Sequence, residues 1–297
     1  MNAQLQKSEP EGWKAYLPAF ITKRGPLVPV LRFSGAIGVV TPLRPGITLS
    51  TSAPAIEKAF TMRGADAVAI QINSPGGSAV QSTLLFRRIR ALAEEKGLKV
   101  YVFAEDVAAS GGYMLALAGD EIYADASSIV GSIGVITATF GANELLAKIG
   151  VQRRVYTAGD NKDILDPFLP EKKSDIVKIK AIQRDVHQAF IDLVKERRGA
   201  KLKKTNKQLF TGEFWSGKTA LELGLIDGIS DLRSKMREIY GDEVRFKLVA
   251  PSTSWFRRKR GVFASEGGFE FGFAPGGLAA DLISAVEARA LWSRFGF

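Results

Sequence analysis

Two glycine-rich turns are the residues of this sequence best suited by type and spacing to chemistry. Residues 73–78 (Asn-Ser-Pro-Gly-Gly-Ser) follow one strand-like segment and open a helix, and residues 108–112 (Ala-Ala-Ser-Gly-Gly) do the same after the next strand. Backbone N–H groups at such turns have no partner within the helix. If both sets converge on one point they form an oxyanion hole, with the hydroxyl of Ser110 beside it. The alternative is two ordinary helix starts.

The composition restricts which group could activate Ser110. The 297 residues include no cysteine and one histidine, His187, which excludes disulfides, a thiol nucleophile and thiolate metal sites. A Ser-His-Asp triad would have to run through His187, which lies mid-helix beside an apolar face, where histidine is usually a boundary residue. Lysine is the other option, because a buried amine loses its charge readily and can serve as a general base. Spacing alone does not choose the lysine.

Strand and helix patterns alternate from about residue 26, which predicts an α/β fold. These segments bring both glycine turns to strand ends, where their N–H groups can meet. The predicted strands cover residues 28–32, 67–72, 98–103, 121–124, 131–136 and 153–157, and the predicted helices cover 80–95, 111–118 and 174–198, the last with Ser174 as N-cap.

The composition also divides the chain into three parts. Residues 1–24 are a lead-in, residues 25–250 form the α/β domain, and residues 251–297 combine a linker with an amphipathic helix over residues 278–297. We expect that helix to pack on the domain or on a neighbouring subunit rather than on lipid.

Part of the formal net charge of +10 comes from two clusters of basic residues. The basic cluster at residues 195–207 is interpreted as solvated surface, and the cluster at 257–260, which follows Trp255 and Phe256, is a candidate for contact with an anionic membrane. We expect no nucleic-acid partner. Residues 1–11 lack a secretory signal, and the uncharged run between Asp125 and Glu144 is too polar to span a bilayer. We therefore expect a cytoplasmic protein, with peripheral contact to the inner membrane as an open alternative.

Five segments, taken in order, resemble the signal peptide peptidase A family (SppA, or protease IV-like), serine peptidases of the ClpP/crotonase superfamily. They are residues 73–77, 109–113, 131–135, 159–163 (Gly-Asp-Asn-Lys-Asp) and 224–227 (Gly-Leu-Ile-Asp). Each is weak alone, whereas the ordered set is specific. The resemblance covers about residues 26–245 and implies repeated β-β-α units that form a spiral core.

The resemblance also implies site residues. Ser110 would be the nucleophile and Lys162 the general base, with Ser132 holding the lysine amine. The N–H groups of Gly111 and of the Gly76–Gly77 turn would form the oxyanion hole. It further implies peptide or unfolded polypeptide substrates, notably hydrophobic signal-peptide remnants, a homo-oligomer, and no cofactor or metal.

Two acidic residues flank the lysine, and a carboxylate near its amine would raise the lysine pKa and oppose its role as a base. We therefore predict that Asp160 and Asp163 point away from Lys162.

Three other functions compete with this interpretation. Residues 212–219 (Gly-Glu-Phe-Trp-Ser-Gly-Lys-Thr) match the P-loop pattern, but the preceding residues make a poor strand and Glu213 would face phosphate, so we interpret the match as coincidence. A catalytically silent scaffold could keep the same fold. A crotonase-type acyl-CoA enzyme would use the two-amide hole without a serine nucleophile or a lysine base.

Overall fold

The computed structural model describes residues 25–38, 46–203, 206–250, 289–290 and 292–296. Within them the strands form one eight-stranded sheet. The strands are β1 (Leu27–Ser34), β2 (Ala67–Ser74), β3 (Lys99–Ala109), β4 (Glu121–Ala124), β5 (Ile129–Gly131), β6 (Phe214–Ser216), β7 (Gly228–Ile229) and β8 (Arg245–Leu248). The sheet order is β6-β5-β3-β2-β1-β8, with β4 beside β3 and β7 beside β4.

The helices cover much of one face of the sheet. They are α1 (Leu49–Phe60), α2 (Ala79–Lys96), α3 (Gly111–Ala116), α4 (Asn143–Lys148), α5 (Lys173–Arg198), α6 (Asn206–Leu209), α7 (Gly217–Leu223) and α8 (Leu232–Tyr240). The largest apolar cluster lies between the sheet and helices α1, α2, α3, α5 and α7. A second cluster fills the other face beneath α8.

Parallel pairing brings the two glycine turns together. Strands β1, β2 and β3 run in the same direction, and Ser74 at the end of β2 pairs with Ala108 near the end of β3. The turns that follow these strands therefore begin side by side at one edge of the sheet.

Strand β3 is long enough to take two neighbours on one side. Its residues 101–104 pair with β4, and residues 107–109 pair with β5. The main-core helices pack behind Ala108, whereas Val107 and Ala109 belong to a small cluster on the opposite face. The carboxyl end of β3 is thus enclosed from both sides.

The predicted α/β class is confirmed, and three details of the prediction are wrong. Residues 153–157 form no strand, because they are exposed and no neighbouring strand pairs with them. The strand predicted over residues 131–136 ends at Gly131, because Ser132 has a positive φ of 52° that ladder pairing does not allow. Helix α5 begins at Lys173 with Lys172 as N-cap, and the hydroxyl of Ser174 bonds to Asp175 instead of capping.

The structure also contains elements that the sequence patterns did not predict, which are α1, α4, α6, α8, β6, β7 and β8. The lead-in at residues 1–24 and the basic cluster at 257–260 lie outside the described residues, as does most of the helix predicted over 278–297. Of that last segment, Trp292 and Phe295 pack against the sheet beside β3 and β5.

Candidate active site

Ser110 lies in the turn between β3 and α3 with a backbone conformation that side chains rarely adopt. Its φ is 53° and its ψ is −122°. Its N–H donates to the carbonyl of Gly131 (2.8 Å), and its own carbonyl accepts from Tyr113 and Met114. Strain of this kind persists only where surrounding bonds enforce it, and it concentrates at functional sites. The turn resembles the nucleophile elbow of other hydrolases, in which the serine hydroxyl projects from a tight strand-to-helix turn.

The Gly76–Gly77 turn lies in contact with the Ser110 turn. A Cβ added to Gly76 would come within 2.8 Å of both the Gly111 nitrogen and the Ser110 Cβ, and Gly76 also has a φ of 102°. A Cβ added to Gly111 would lie 3.3 Å from the Gly77 nitrogen and 2.5 Å from the Ser82 hydroxyl. The two turns approach so closely that neither position leaves room for a side chain.

The amides of these turns differ in availability. The N–H of Gly76 donates to the hydroxyl of Ser74 (3.2 Å), a side chain that is fully buried. Within the described residues, the N–H groups of Gly77 and Gly111 donate to no protein acceptor. These two amides, beside the Ser110 hydroxyl, can therefore bind an oxyanion, whereas Gly76 serves to let the turns meet.

Ser132 follows β5 and is buried, with a second strained backbone (φ 52°). Its N–H donates to the Glu213 carbonyl (2.7 Å), and its hydroxyl has no hydrogen-bond partner in the part of the chain that the structure describes. The next residue, Ile133, offers its carbonyl to Nε2 of His187 (3.1 Å). His187 therefore contacts the loop that carries Ser132.

Lys162 is the predicted site residue that the structure does not bring to Ser110. Its side chain is exposed in a turn after Gly159, and its N–H donates to the Gly159 carbonyl (3.3 Å). Among the described residues, its amine forms no hydrogen bond or ion pair, either with Ser110 or with Ser132. The single chain thus presents the serine and the two amides together, and an exposed lysine whose amine is bonded to neither serine.

The acidic residues near Lys162 have other partners or none. Asp163 accepts from Nζ of Lys172 (2.7 Å), and this bond lowers the pKa of the Asp163 carboxyl and raises that of the Lys172 ammonium. Asp166 accepts from Arg153, which lowers the pKa of its carboxyl. Over the described residues, neither Asp160 nor Asp163 forms an ion pair with Lys162. Neither flanking carboxylate therefore holds the Lys162 amine in an ion pair.

The P-loop match is not a phosphate site in this fold. Its residues 214–216 are strand β6, which pairs with β5. The N–H of Lys218 donates to the Ala126 carbonyl (3.2 Å), and that of Thr219 to the Ser216 hydroxyl (3.3 Å). Amides occupied in this way cannot cradle a phosphate.

A family model described as peptidase family S49 matches residues 92–241, about half of the chain. This stretch contains Ser110, Ser132 and Lys162. The chain belongs to peptidase family S49. The SppA-type family predicted from the ordered motifs is therefore confirmed.

Individual relatives match this chain over parts of their own length. The chain is 34% identical over 213 residues to the chloroplastic serine protease SPPA of Arabidopsis thaliana, covering 69% of this chain and 31% of that protein. It is 55% identical over 271 residues to a Brucella abortus protein named Na(+)/H(+) antiporter NhaA, covering 91% of this chain and 37% of that protein. The chain thus spans about a third of the length of these relatives.

A solved structure of the 1510-N membrane-bound stomatin-specific protease is similar over 77% of this chain and 99% of its own, at 16% identity and a TM-score of 0.45. Separately, none of the described helices is both long enough and apolar enough to cross a membrane.

Sequence patterns alone did not reveal several features of the site. Ser110 and Ser132 have positive φ angles, which a sequence signals only where the residue is glycine. The bond from Ser74 to the Gly76 amide depends on the turn geometry, although a serine just before Pro-Gly-Gly is a signal that could have suggested it. The contact between His187 and Ile133 joins residues 54 positions apart.

Proposed function

We propose that this chain is a serine endopeptidase in which Ser110 is the nucleophile and Lys162 the general base. One observation supports this most strongly. Ser110 is held at a positive φ directly against the Gly76–Gly77 turn, beside two amides that have no protein acceptor among the described residues. A serine used only for structure would not need a strained backbone next to a preformed anion site.

The proposed reaction is acyl transfer in two steps. The neutral amine of Lys162 takes the hydroxyl proton as Oγ of Ser110 attacks the peptide carbonyl carbon. The N–H groups of Gly77 and Gly111 bind the tetrahedral oxyanion, and each such donor contributes about 3 kcal/mol in comparable hydrolases. The lysine ammonium then protonates the leaving amine, and water, activated by the same amine, releases the acyl group from Ser110.

A change of position must bring the Lys162 amine into hydrogen-bond contact with the serine, since the described residues of the single chain hold no such bond. We propose that assembly of a homo-oligomer supplies it. The segment that carries Lys162 and the start of α5 expose a set of large apolar side chains, here called the apolar face: Ile136, Phe140, Leu145, Ile149, Val151, Val155, Tyr156 and Val177. Exposed apolar surface of this extent is typical of interaction sites. Burying it against another copy would order the loop and place Lys162 beside a Ser110 hydroxyl.

Ser132 is suited to hold the arriving amine. Its hydroxyl lacks a partner in the described residues, and its loop leads from β5, whose Gly131 carbonyl already binds the N–H of Ser110. A buried serine that accepts from or donates to the lysine would fix the amine near Oγ of Ser110. This would favour the neutral amine, because the surroundings are desolvated.

The proposed substrates are hydrophobic peptides, such as signal-peptide remnants, or other unfolded polypeptides. A hydrophobic substrate class is compatible with the proposed peripheral contact with the inner membrane. Pelleting with anionic liposomes tests the membrane contact, and absence of binding would remove that part of the proposal.

Hydrolysis of casein or of a hydrophobic peptide tests the dyad. Four proteins are compared: the wild type, Ser110→Ala, Lys162→Met and His187→Ala. We expect activity in the wild type and in His187→Ala only, because His187 binds a backbone carbonyl and is not part of the dyad. Activity in Ser110→Ala or Lys162→Met, or its loss in a folded His187→Ala, would contradict the assignment.

The crotonase-type alternative uses the same two amides. It predicts acyl-CoA hydratase turnover that survives Ser110→Ala, whereas the peptidase predicts none. A silent scaffold predicts that no protein in the comparison hydrolyses peptide.

A further inference from the structure

Phe295 lies against the sheet directly behind the turn that carries Ser110. It is 6% exposed and shares a small apolar cluster with Val107 and Ala109 of β3, both fully buried. Ile129 and Trp292 pack onto the same cluster. Successive strand residues point to opposite faces, so this cluster is on the face of β3 away from α3. Phe295 thus closes the side of the strand end that the main-core helices do not cover.

The same ring also packs on Phe214 of β6. The centroids of Phe295 and Phe214 are 5.1 Å apart with the rings at 69°, an edge-to-face contact. Phe214 pairs with Gly131 across β5 and β6, and the Gly131 carbonyl accepts from the N–H of Ser110. Phe295 therefore contacts both ends of a short chain of neighbours, from Ala109 through Ser110 and Gly131 to Phe214.

The strained backbone of Ser110 needs such support. A non-glycine residue at positive φ is strained and relaxes unless its surroundings fix it. Removing the ring of Phe295 would leave a cavity against Val107 and Ala109, and the strand end could shift into it. A displacement of about 1 Å at a nucleophile can cost about a hundredfold in rate.

We propose that Phe295 is a positioning residue, which holds the ends of β3 and β6 together and so fixes the Ser110 turn. This inference rests on the proposed role of Ser110 as nucleophile. Phe295 lies outside residues 92–241, the stretch that matches the family model. The carboxyl-terminal segment would thus be a part of the catalytic domain that the family match does not include.

The test is the rate at which a fluorophosphonate labels Ser110 in the 297-residue chain, with kcat and KM for a peptide measured in parallel. The variants are Phe295→Leu, Phe295→Val and Phe295→Ala, which remove progressively more of the ring volume. Met236→Ala is the matched control, because Met236 is fully buried on the same face of the sheet, in the separate cluster beneath α8. Melting temperatures show how much stability each variant loses.

We expect labelling and kcat to fall in graded order from leucine to alanine, by about tenfold or more for Phe295→Ala, with KM nearly unchanged. Met236→Ala should lose stability and keep the wild-type labelling rate. If Phe295→Ala fails to fold, the leucine and valine variants carry the same comparison.

Three results would overturn the inference. The first is an unchanged labelling rate across the Phe295 series, and the second is an equal loss of labelling rate in Met236→Ala. The third is faster labelling in Phe295→Ala, which would mean that the carboxyl-terminal segment blocks the site. A wild-type protein that is not labelled at all would instead overturn the proposed function itself.

Discussion

Gly76 constrains the site more tightly than its lack of a side chain suggests. It lies against the Ser110 turn, and an added Cβ would lie 2.8 Å from both the Gly111 nitrogen and the Ser110 Cβ. Both of those atoms belong to the turn that holds the nucleophile, so neither can move away without displacing it. The geometry of the oxyanion hole therefore depends on a residue whose own amide is already bound to Ser74.

Replacing Gly76 by alanine should abolish most hydrolysis. The added methyl group pushes the two turns apart, and the loss of one aligned amide donor alone costs about a hundredfold in kcat. Gly64→Ala is the matched control, because Gly64 also has a positive φ (77°) but nothing lies within 4 Å of its added Cβ. We expect kcat to fall in Gly76→Ala and to stay near the wild-type value in Gly64→Ala. Equal kcat in both variants would show that the close approach is not needed.

Among the elements, the end of α5 binds the turn after α7 through a buried ion pair. Arg198 is 3% exposed, donates to the Gly224 carbonyl through two nitrogens, and binds the Asp227 carboxylate at 2.6 Å. Asp227 also accepts from Lys201 and from the N–H of Ile122 in β4. Burial alone would raise the pKa of Asp227, but the bonds from Arg198 and Lys201 lower it overall. The motif at residues 224–227 thus joins α5, α7 and β4.

Asp227→Asn should lower the free energy of unfolding by about 3 kcal/mol at neutral pH, because it leaves the Arg198 guanidinium without its counter-charge. The folded-state pKa of Asp227 lies below its ordinary value, so its contribution is present above that value and is lost as the pH falls through the folded pKa. Urea unfolding from pH 7 to about pH 3 should therefore show that the difference in free energy of unfolding between wild type and variant becomes smaller below about pH 4.

The control for this measurement is Glu238→Gln, which breaks an exposed pair with Lys235 and should change stability little. The stabilising role of Asp227 would be contradicted if Asp227→Asn lost no more free energy of unfolding than the control. It would also be contradicted if the loss became larger in acid.

Local sequence patterns predicted the elements that carry the site and missed those that depend on distant partners. The β3–α3 junction at Ser110 follows from an apolar run that ends in Ser-Gly-Gly, a local signal. Residues 153–157 have the alternation typical of a strand, but Arg153 turns to Asp166 and Phe168, and no strand is beside them. An alternating segment becomes a strand only if another strand lies beside it to pair with. The residues of the segment itself do not determine whether such a partner is present.

The same limit applies to the site. Residue types and spacing predicted Ser110 and the glycine turns, because strand ends and helix starts bring them together within one stretch of sheet. The position of Lys162 could not be predicted in this way, since its turn belongs to the long segment between α4 and α5, which contains no helix or strand. The carboxyl-terminal contact of Phe295 joins β3 across more than 180 residues and has no local pattern.

At the scale of the whole molecule, the single chain holds one half of the proposed dyad in place and leaves the other exposed. The residues of the apolar face precede and follow Lys162 along the chain, and several of their side chains are among the most exposed large apolar residues that the structure describes. Assembly would bury these residues and complete the site in one event. Activity should therefore depend on the oligomeric state.

Phe140→Lys should disrupt the assembly and reduce hydrolysis per subunit. Phe140 is 69% exposed on the apolar face, and a charge buried in an interface is costly. A central apolar anchor contributes about 2 kcal/mol, so association should weaken by about thirtyfold. Sedimentation velocity over a range of concentrations measures this, and Leu248→Lys is the control, because Leu248 is 63% exposed on β8 away from the face. Unchanged size and activity in Phe140→Lys would contradict the proposed role of the face.

The central claim is that Ser110 is an activated nucleophile, and covalent labelling followed by peptide mapping tests it most directly. The assembled wild-type protein is treated with a fluorophosphonate, its intact mass is measured, and the modified peptide is sequenced. We predict one adduct per chain, on Ser110, that is absent from Ser110→Ala and strongly reduced in Lys162→Met. No adduct, or an adduct on Ser132 or another serine that persists in Ser110→Ala, would contradict the account.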